Sequence, residues 1–165
     1  MPISVATRAD SPAAPRAASR ALAAIVTAAL RVESRRPGAI GILLTDDAEL
    51  RTLNKRWRGI DRATDVLSFP YADTAGRVDG DLVVSLDRLR AQARRYRVTE
   101  ARELARLVVH GALHLAGLDH HRAAERVAMR AQERRALRAG GTAVAALERA
   151  WAVDGAPRDR GRRAR

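Results

Sequence analysis

All four histidines of this 165-residue chain lie between His110 and His121, inside the run "VVHGALHLAGLDHH". His110 and His114 stand four apart, a spacing that stacks two imidazoles on one helical face within reach of a single ion. Gly117 permits a left-handed backbone and so ends that helix, and the chain can then turn back to bring His120 to the same point. Three nitrogen donors with a fourth position open to water describe a catalytic zinc site, one ion per chain, rather than a closed structural site. The plain alternative is that these are ordinary core or surface histidines clustered by chance. Spacing, glycine break and third histidine together favour the metal. His121, adjacent to His120, reads as a solvated or supporting residue rather than a ligand. With no cysteine in the sequence, there is neither a disulfide framework nor a thiolate to share the ion.

The same spacing occurs in zinc proteases with the pattern His-Glu-x-x-His-x-x-Gly-x-x-His, where the Glu is the general base. Here Gly111 holds that position and cannot move a proton, which argues against proteolysis. Zinc held by three neutral imidazoles keeps its full charge and lowers the pKa of bound water toward about 7. The resulting hydroxide could attack phosphorus, or the metal could polarise a phosphoryl oxygen.

Phosphate chemistry suits the charge balance. The formal net charge is +12, and Lys55 is the one lysine among 31 Lys and Arg residues. Such an excess favours polyanions, nucleic acid or anionic membrane, although arginine abundance can also follow from genomic base composition. Arg94, Arg95, Arg97 and the terminal arginines could track RNA phosphates or simply form a solvated face. Aromatics make up 3%, so Trp57, Phe69 and Tyr71 are the candidate stacking platforms near the histidines, with Trp57 and Phe69 equally suited to a core. No run of roughly 18 apolar residues could span a membrane. "ALAAIVTAAL", with Arg16 and Arg20 before it, has the outline of a signal peptide, but Asp10 precedes it and no clear small-residue cleavage site follows. A core or amphipathic helix is therefore the reading, and the cytoplasm the expected compartment.

The surrounding pattern supplies the elements that must position these groups. "MPISVAT" reads as a first strand, and Ser19 as a cap for the Ala-rich helix that follows. "RPG", Arg36 to Gly38, should break that helix ahead of a buried strand, "AIGILL". "DDAELRTLNKRW" reads as a helix with Asp46 and Glu49 at capping-box spacing. "TDVLSFPY" and "GDLVVSLD" are strand-like, with "ADTAGRVD" a polar loop between them. From Arg88 the chain is mostly helical, Thr99 capping the helix that enters the histidine run. Two last helices are split by Gly140-Gly141. The expected fold is α+β, a small mixed sheet of about four strands flanked by helices, with the zinc site at a helix end. Residues 1–155 form one domain and 156–165 a basic, disordered tail.

"HGALHLAGLDH" as it stands resembles the signature of the YbeY endoribonucleases, bacterial rRNA-maturation factors. "LNKRWRGIDRATDVLSFP", Leu53 to Pro70, is similar to that family's second block and "GDLVVS", Gly80 to Ser85, to its third. Order and spacing agree from about Ile40 to Met129. Ala63 stands where the family usually has proline, and the C-terminal helices are arginine-rich where relatives can be acidic. The resemblance implies a zinc-dependent, single-strand-specific endoribonuclease that acts near the 3′ end of 16S rRNA and in ribosome quality control. Its partners would be single-stranded RNA and rRNA, with the small ribosomal subunit or assembly factors, and no membrane. His110, His114 and His120 match the family's zinc ligands, and Arg58 matches an arginine of catalytic importance.

Arg58 independently suits a bidentate grip on a phosphate that offsets charge in the transition state. Asp119 could orient an imidazole or accept a proton as a catalytic carboxylate, or it could cap the turn after Gly117. Two rivals remain. One is a metallohydrolase of peptide or small substrates, and the other a non-catalytic ribosome-assembly factor with structural zinc.

Overall fold

Strands with alternating apolar residues pair into a four-stranded sheet, and helices cover both of its faces. The computed structural model describes residues 3–8, 14–71 and 75–151. In chain order the elements are β1 (Ile3–Thr7), α1 (Arg16–Val32), β2 (Arg36–Thr45), α2 (Asp47–Arg58), β3 (Val66–Pro70), β4 (Arg77–Ser85), α3 (Leu86–Tyr96), α4 (Glu100–Leu115), α5 (Ala123–Ala139) and α6 (Gly141–Ala150). Spatial order is β1-β2-β4-β3. β1, β2 and β4 run parallel and β3 lies antiparallel at the edge, so the sheet is mixed.

Period-2 alternation sends side chains to two cores. Ile40, Ile42 and Leu44 of β2, with Leu82 and Val84 of β4, join Leu22, Ile25, Leu104 and Val108 of α1 and α4 in the larger core. Their neighbours Leu43 and Val83 point the other way, into a smaller cluster with Leu50 of α2 and Leu67 and Phe69 of β3. One long helix, α4, is therefore pinned against the sheet while α2 lies across the opposite face.

Local signals set several boundaries. The Asp46 carboxylate accepts from the Glu49 amide at 2.9 Å, whereas the Glu49 carboxylate accepts from the Thr45 hydroxyl instead of closing a reciprocal box. The Thr99 hydroxyl accepts from the Arg102 amide at 3.1 Å and starts α4. Three sequence expectations are corrected. α1 begins at Arg16 behind Pro15, and the Ser19 amide already donates to the Pro15 carbonyl within the helix, so Ser19 is no cap. α1 ends at Val32 with Ser34 left-handed, its amide and that of Arg35 returning to Arg31 and Leu30. Arg36 to Gly38 consequently belong to β2 rather than to the break. β4 likewise starts at Arg77, inside the run expected as a loop. The basic tail at 156–165 lies outside the described residues. Among the described residues no helix is long and apolar enough to cross a membrane.

Candidate metal centre

α4 buries Leu104, Val108, Val109, Ala112 and Leu113 and leaves His110 and His114 half-buried on its flank, as their i,i+4 spacing requires. Their Nε2 atoms approach to 3.2 Å. The helix then stops abruptly. Gly117 takes φ +101, its amide donates to the His114 carbonyl and that of Leu118 to the Leu113 carbonyl, the paired bonds of a Schellman turn. The reversed chain is held by the Asp119 carboxylate, which accepts from the His120 amide at 2.8 Å. His120 thereby returns to lie with its ring centroid 4.7 Å from that of His114 and 5.4 Å from that of His110. One nitrogen from each of the three rings falls within 4.8 Å of the others.

These nitrogens suit a cation. Burial, with the neighbouring His110 and His120 rings, pushes the His114 imidazole down to about 4, so it is neutral with a free lone pair at physiological pH. His110 Nδ1 meets the Glu133 carboxylate on α5 at 2.5 Å, which assigns the Nδ1 proton to that bond and turns the Nε2 lone pair toward His114. His120 Nδ1 is buried without a hydrogen-bond partner. An ion held between the three rings would satisfy lone pairs that the protein leaves facing one another.

The cluster opens on a cleft of about 1170 Å³ whose walls include Arg51, Arg58, Arg62, Arg88 and Ser68. Arg51 is paired with Asp61 and Arg88 with Asp47. Arg58 and Arg62 have no carboxylate partner among the described residues. Arg58, the last residue of α2, donates to the Ser68 carbonyl at 3.0 Å, and the Ser68 hydroxyl donates to the Gly111 carbonyl at 3.1 Å. A chain of two bonds thus ties the arginine to the histidine helix.

Gly111 explains itself sterically. A Cβ there would lie 2.8 Å from Leu82 Cδ2 and 3.2 Å from Ser68 Oγ. The position that carries the base in zinc proteases points here into the seam between α4 and the sheet. Asp119 lines the cleft, 52% exposed, and its Oδ1 takes both the His120 amide and the His121 ring. His121 is itself 82% exposed. Of the aromatics, Trp57 and Tyr71 are exposed at 62% and 57%, while Phe69 packs with the small core. Glu133 is the residue that sequence reasoning missed. It lies 23 positions beyond His110 on another helix, and only the packing of α5 on α4 brings the two together.

Three converging imidazoles in an arginine-lined cleft beside a mixed sheet define a candidate metallohydrolase for anionic substrates. Comparison with known proteins narrows that class. A family model described as endoribonuclease YbeY matches residues 5–141. The chain is 50% identical over 115 residues to endoribonuclease YbeY of Roseiflexus sp. (strain RS-1), covering 64% of this chain and 72% of that protein. With the protein of the same name from Anaeromyxobacter dehalogenans it shares 44% over 132 residues, 79% of this chain and 68% of the other. In fold it is similar to the solution structure of TM1509 from Thermotoga maritima, with a TM-score of 0.51 at 24% identity, covering 85% and 92% of the two chains. The chain belongs to the endoribonuclease YbeY family.

Proposed function

We propose that this protein is a zinc-dependent endoribonuclease that hydrolyses phosphodiester bonds of single-stranded RNA, acting in maturation of the 16S rRNA 3′ end and in ribosome quality control. The observation that carries the reading is the convergence of His110, His114 and His120 in a cleft that also presents Arg58 and Arg62 without carboxylate partners. Membership of the family supplies the substrate class.

His110, His114 and His120 would hold the ion, which when bound supplies a Lewis acid and a water ionisable near neutrality. The rest is the work of the chain. Glu133 fixes the tautomer and ring plane of His110 through Nδ1. Arg58, steadied by the Ser68 carbonyl, offers its remaining N–H groups to the scissile phosphate and offsets charge as it builds. Asp119 holds the turn that delivers His120, and its Oδ2 is the oxygen left to take a proton at the cleft. Trp57 and Tyr71 are exposed but lie outside the residues that line the cleft, Trp57 with the Arg56 guanidinium over its ring, so any stacking on bases would be beyond the cleft. The small ribosomal subunit or its assembly factors would present the strand, in the cytoplasm. Proteolysis is disfavoured by Gly111, where no base carboxylate fits.

The test is cleavage of a fluorescent single-stranded RNA by the zinc-loaded protein beside Arg58→Ala and His114→Ala. Wild-type cutting with loss in both variants is expected. Equal cutting by all three, or none even with ribosomes supplied, would overturn the reading in favour of a non-catalytic assembly factor.

A further inference from the structure

Arginines occupy every fourth position of one stretch: Arg122, Arg126, Arg130, Arg134 and Arg138. All five are exposed, and together they run from the residue that caps α5 almost to its C-terminus. At 1.5 Å per residue the row is about 24 Å long. Each step of four advances 400° around the helix, so the row drifts about 40° per step and winds about 160° around α5 from Arg122 to Arg138. Arg122 has Glu125 at 3.8 Å. The other four meet no carboxylate within ion-pair range among the described residues. Arg126 donates to the His121 carbonyl and Arg130 to the Arg126 carbonyl. Like charges at i,i+4 repel, so the helix carries an uncompensated repulsion that a polyanion would relieve.

The row begins where the metal centre ends. Arg122 follows His120 and His121 directly, at the positive N-terminus of α5. Glu133 of the same helix reaches His110, and Arg126 and Arg130, seven and three residues before it, lie on the same flank. We propose that this row is the landing surface for the RNA backbone outside the cleft, taking successive phosphates of the strand on its way to or from the histidines. The proposal rests on the ribonuclease reading and extends it from a cleft to a track. An anionic membrane fits less well, because the exposed apolar surface of α5 is Val127 and alanines, with no bulky side chains to insert.

The test compares the full-length, zinc-loaded protein with the variant Arg126→Gln, Arg130→Gln, Arg134→Gln, Arg138→Gln, glutamine being chosen to keep helix propensity. Circular dichroism checks that the variant folds. Anisotropy titrations across a salt series use two 2′-O-methyl RNAs, verified as intact on gels after each titration, one of about 6 nucleotides to fill the cleft and one of about 20 to reach the row. Each lost single-strand phosphate contact lowers the slope of log K against log salt by about 0.7. The variant should lose a slope of up to about 3 and at least tenfold in affinity on the long RNA at low salt, while binding the short RNA and cleaving an unmodified short RNA like wild type. Unchanged slope and affinity on the long RNA would overturn the track, even if short-RNA cleavage upholds the nuclease. Loss of binding to phosphatidylserine vesicles with RNA binding intact would reassign the row to membrane. Wild type that binds long RNA through the row yet cuts nothing would instead sink the nuclease reading alone.

Discussion

Glu133→Gln keeps the shape of a side chain that contacts a proposed ligand and removes its charge. The wild-type contact is a carboxylate at 2.5 Å from His110 Nδ1, 12% exposed on the Glu133 side. A charged acceptor makes a bond roughly twice as strong as a neutral one, and an amide can also present its NH₂ and turn the imidazole to the wrong tautomer. Loss of a carboxylate behind a metal-bound histidine typically weakens binding about 10–100-fold, or about 1.4–2.8 kcal/mol. Glu133→Ala goes further and leaves the Nδ1–H group unsatisfied, a cost of about 1–3 kcal/mol. The assay is competition for zinc against a chromogenic chelator, which reads affinity without reference to RNA cleavage. Affinity should fall in the order wild type, Gln, Ala, with thermal melts checking that both variants remain folded. Both variants binding zinc within twofold of wild type would show that His110 is oriented by its packing alone.

The remaining expectations concern the same helix. Gly111→Ala should cost about 1–3 kcal/mol in urea melts, because its Cβ must displace Leu82 and Ser68 in a packed seam; an unchanged midpoint would mean that α4 can lift from the sheet. In the metal-free protein, His114 titrates near 4 when folded and near 6.5 when unfolded. The unfolded state therefore binds the proton first, and stability is lost as pH falls from about 6.5 to 4. After discounting for partial exposure this arm amounts to about 1–2 kcal/mol. His114→Gln should flatten that arm in denaturant titrations, and an unaltered profile would assign acid sensitivity elsewhere.

What could be read from the sequence was local. Four-residue spacing put His110 and His114 on one flank, Gly117 marked the stop, and Thr99 and Asp46 were sound caps because each acts within three residues of itself. The short apolar runs in "AIGILL" and "GDLVVS" marked strands, as expected where both faces of the sheet are covered. Failures came where a local cue had competitors. Ser19 looked like a cap because serine suits one, yet Pro15 had already set the helix start. "RPG" looked like a breaker, yet the reversal happens at Ser34, a residue with no such reputation. Glu133 was invisible because its role depends on how one helix lies on another. The Arg58 link was hidden for the same reason, since it runs to a backbone carbonyl, which every residue has.

β3 is a single-strand partition between two workshops. Arg58 is carried on its α2 side, over the small core of Leu50, Leu67 and Val83, while the imidazoles are carried on the α4 side over the large one. The gap between guanidinium and metal centre is therefore gauged by the thickness of one strand and its Ser68 tie, not by the length of any loop. The loops around the cleft carry His120 and Arg62, so they set the rest of the site while the strand sets that one gap. A change in the volume of Leu67 would be felt at once as a change of calibre.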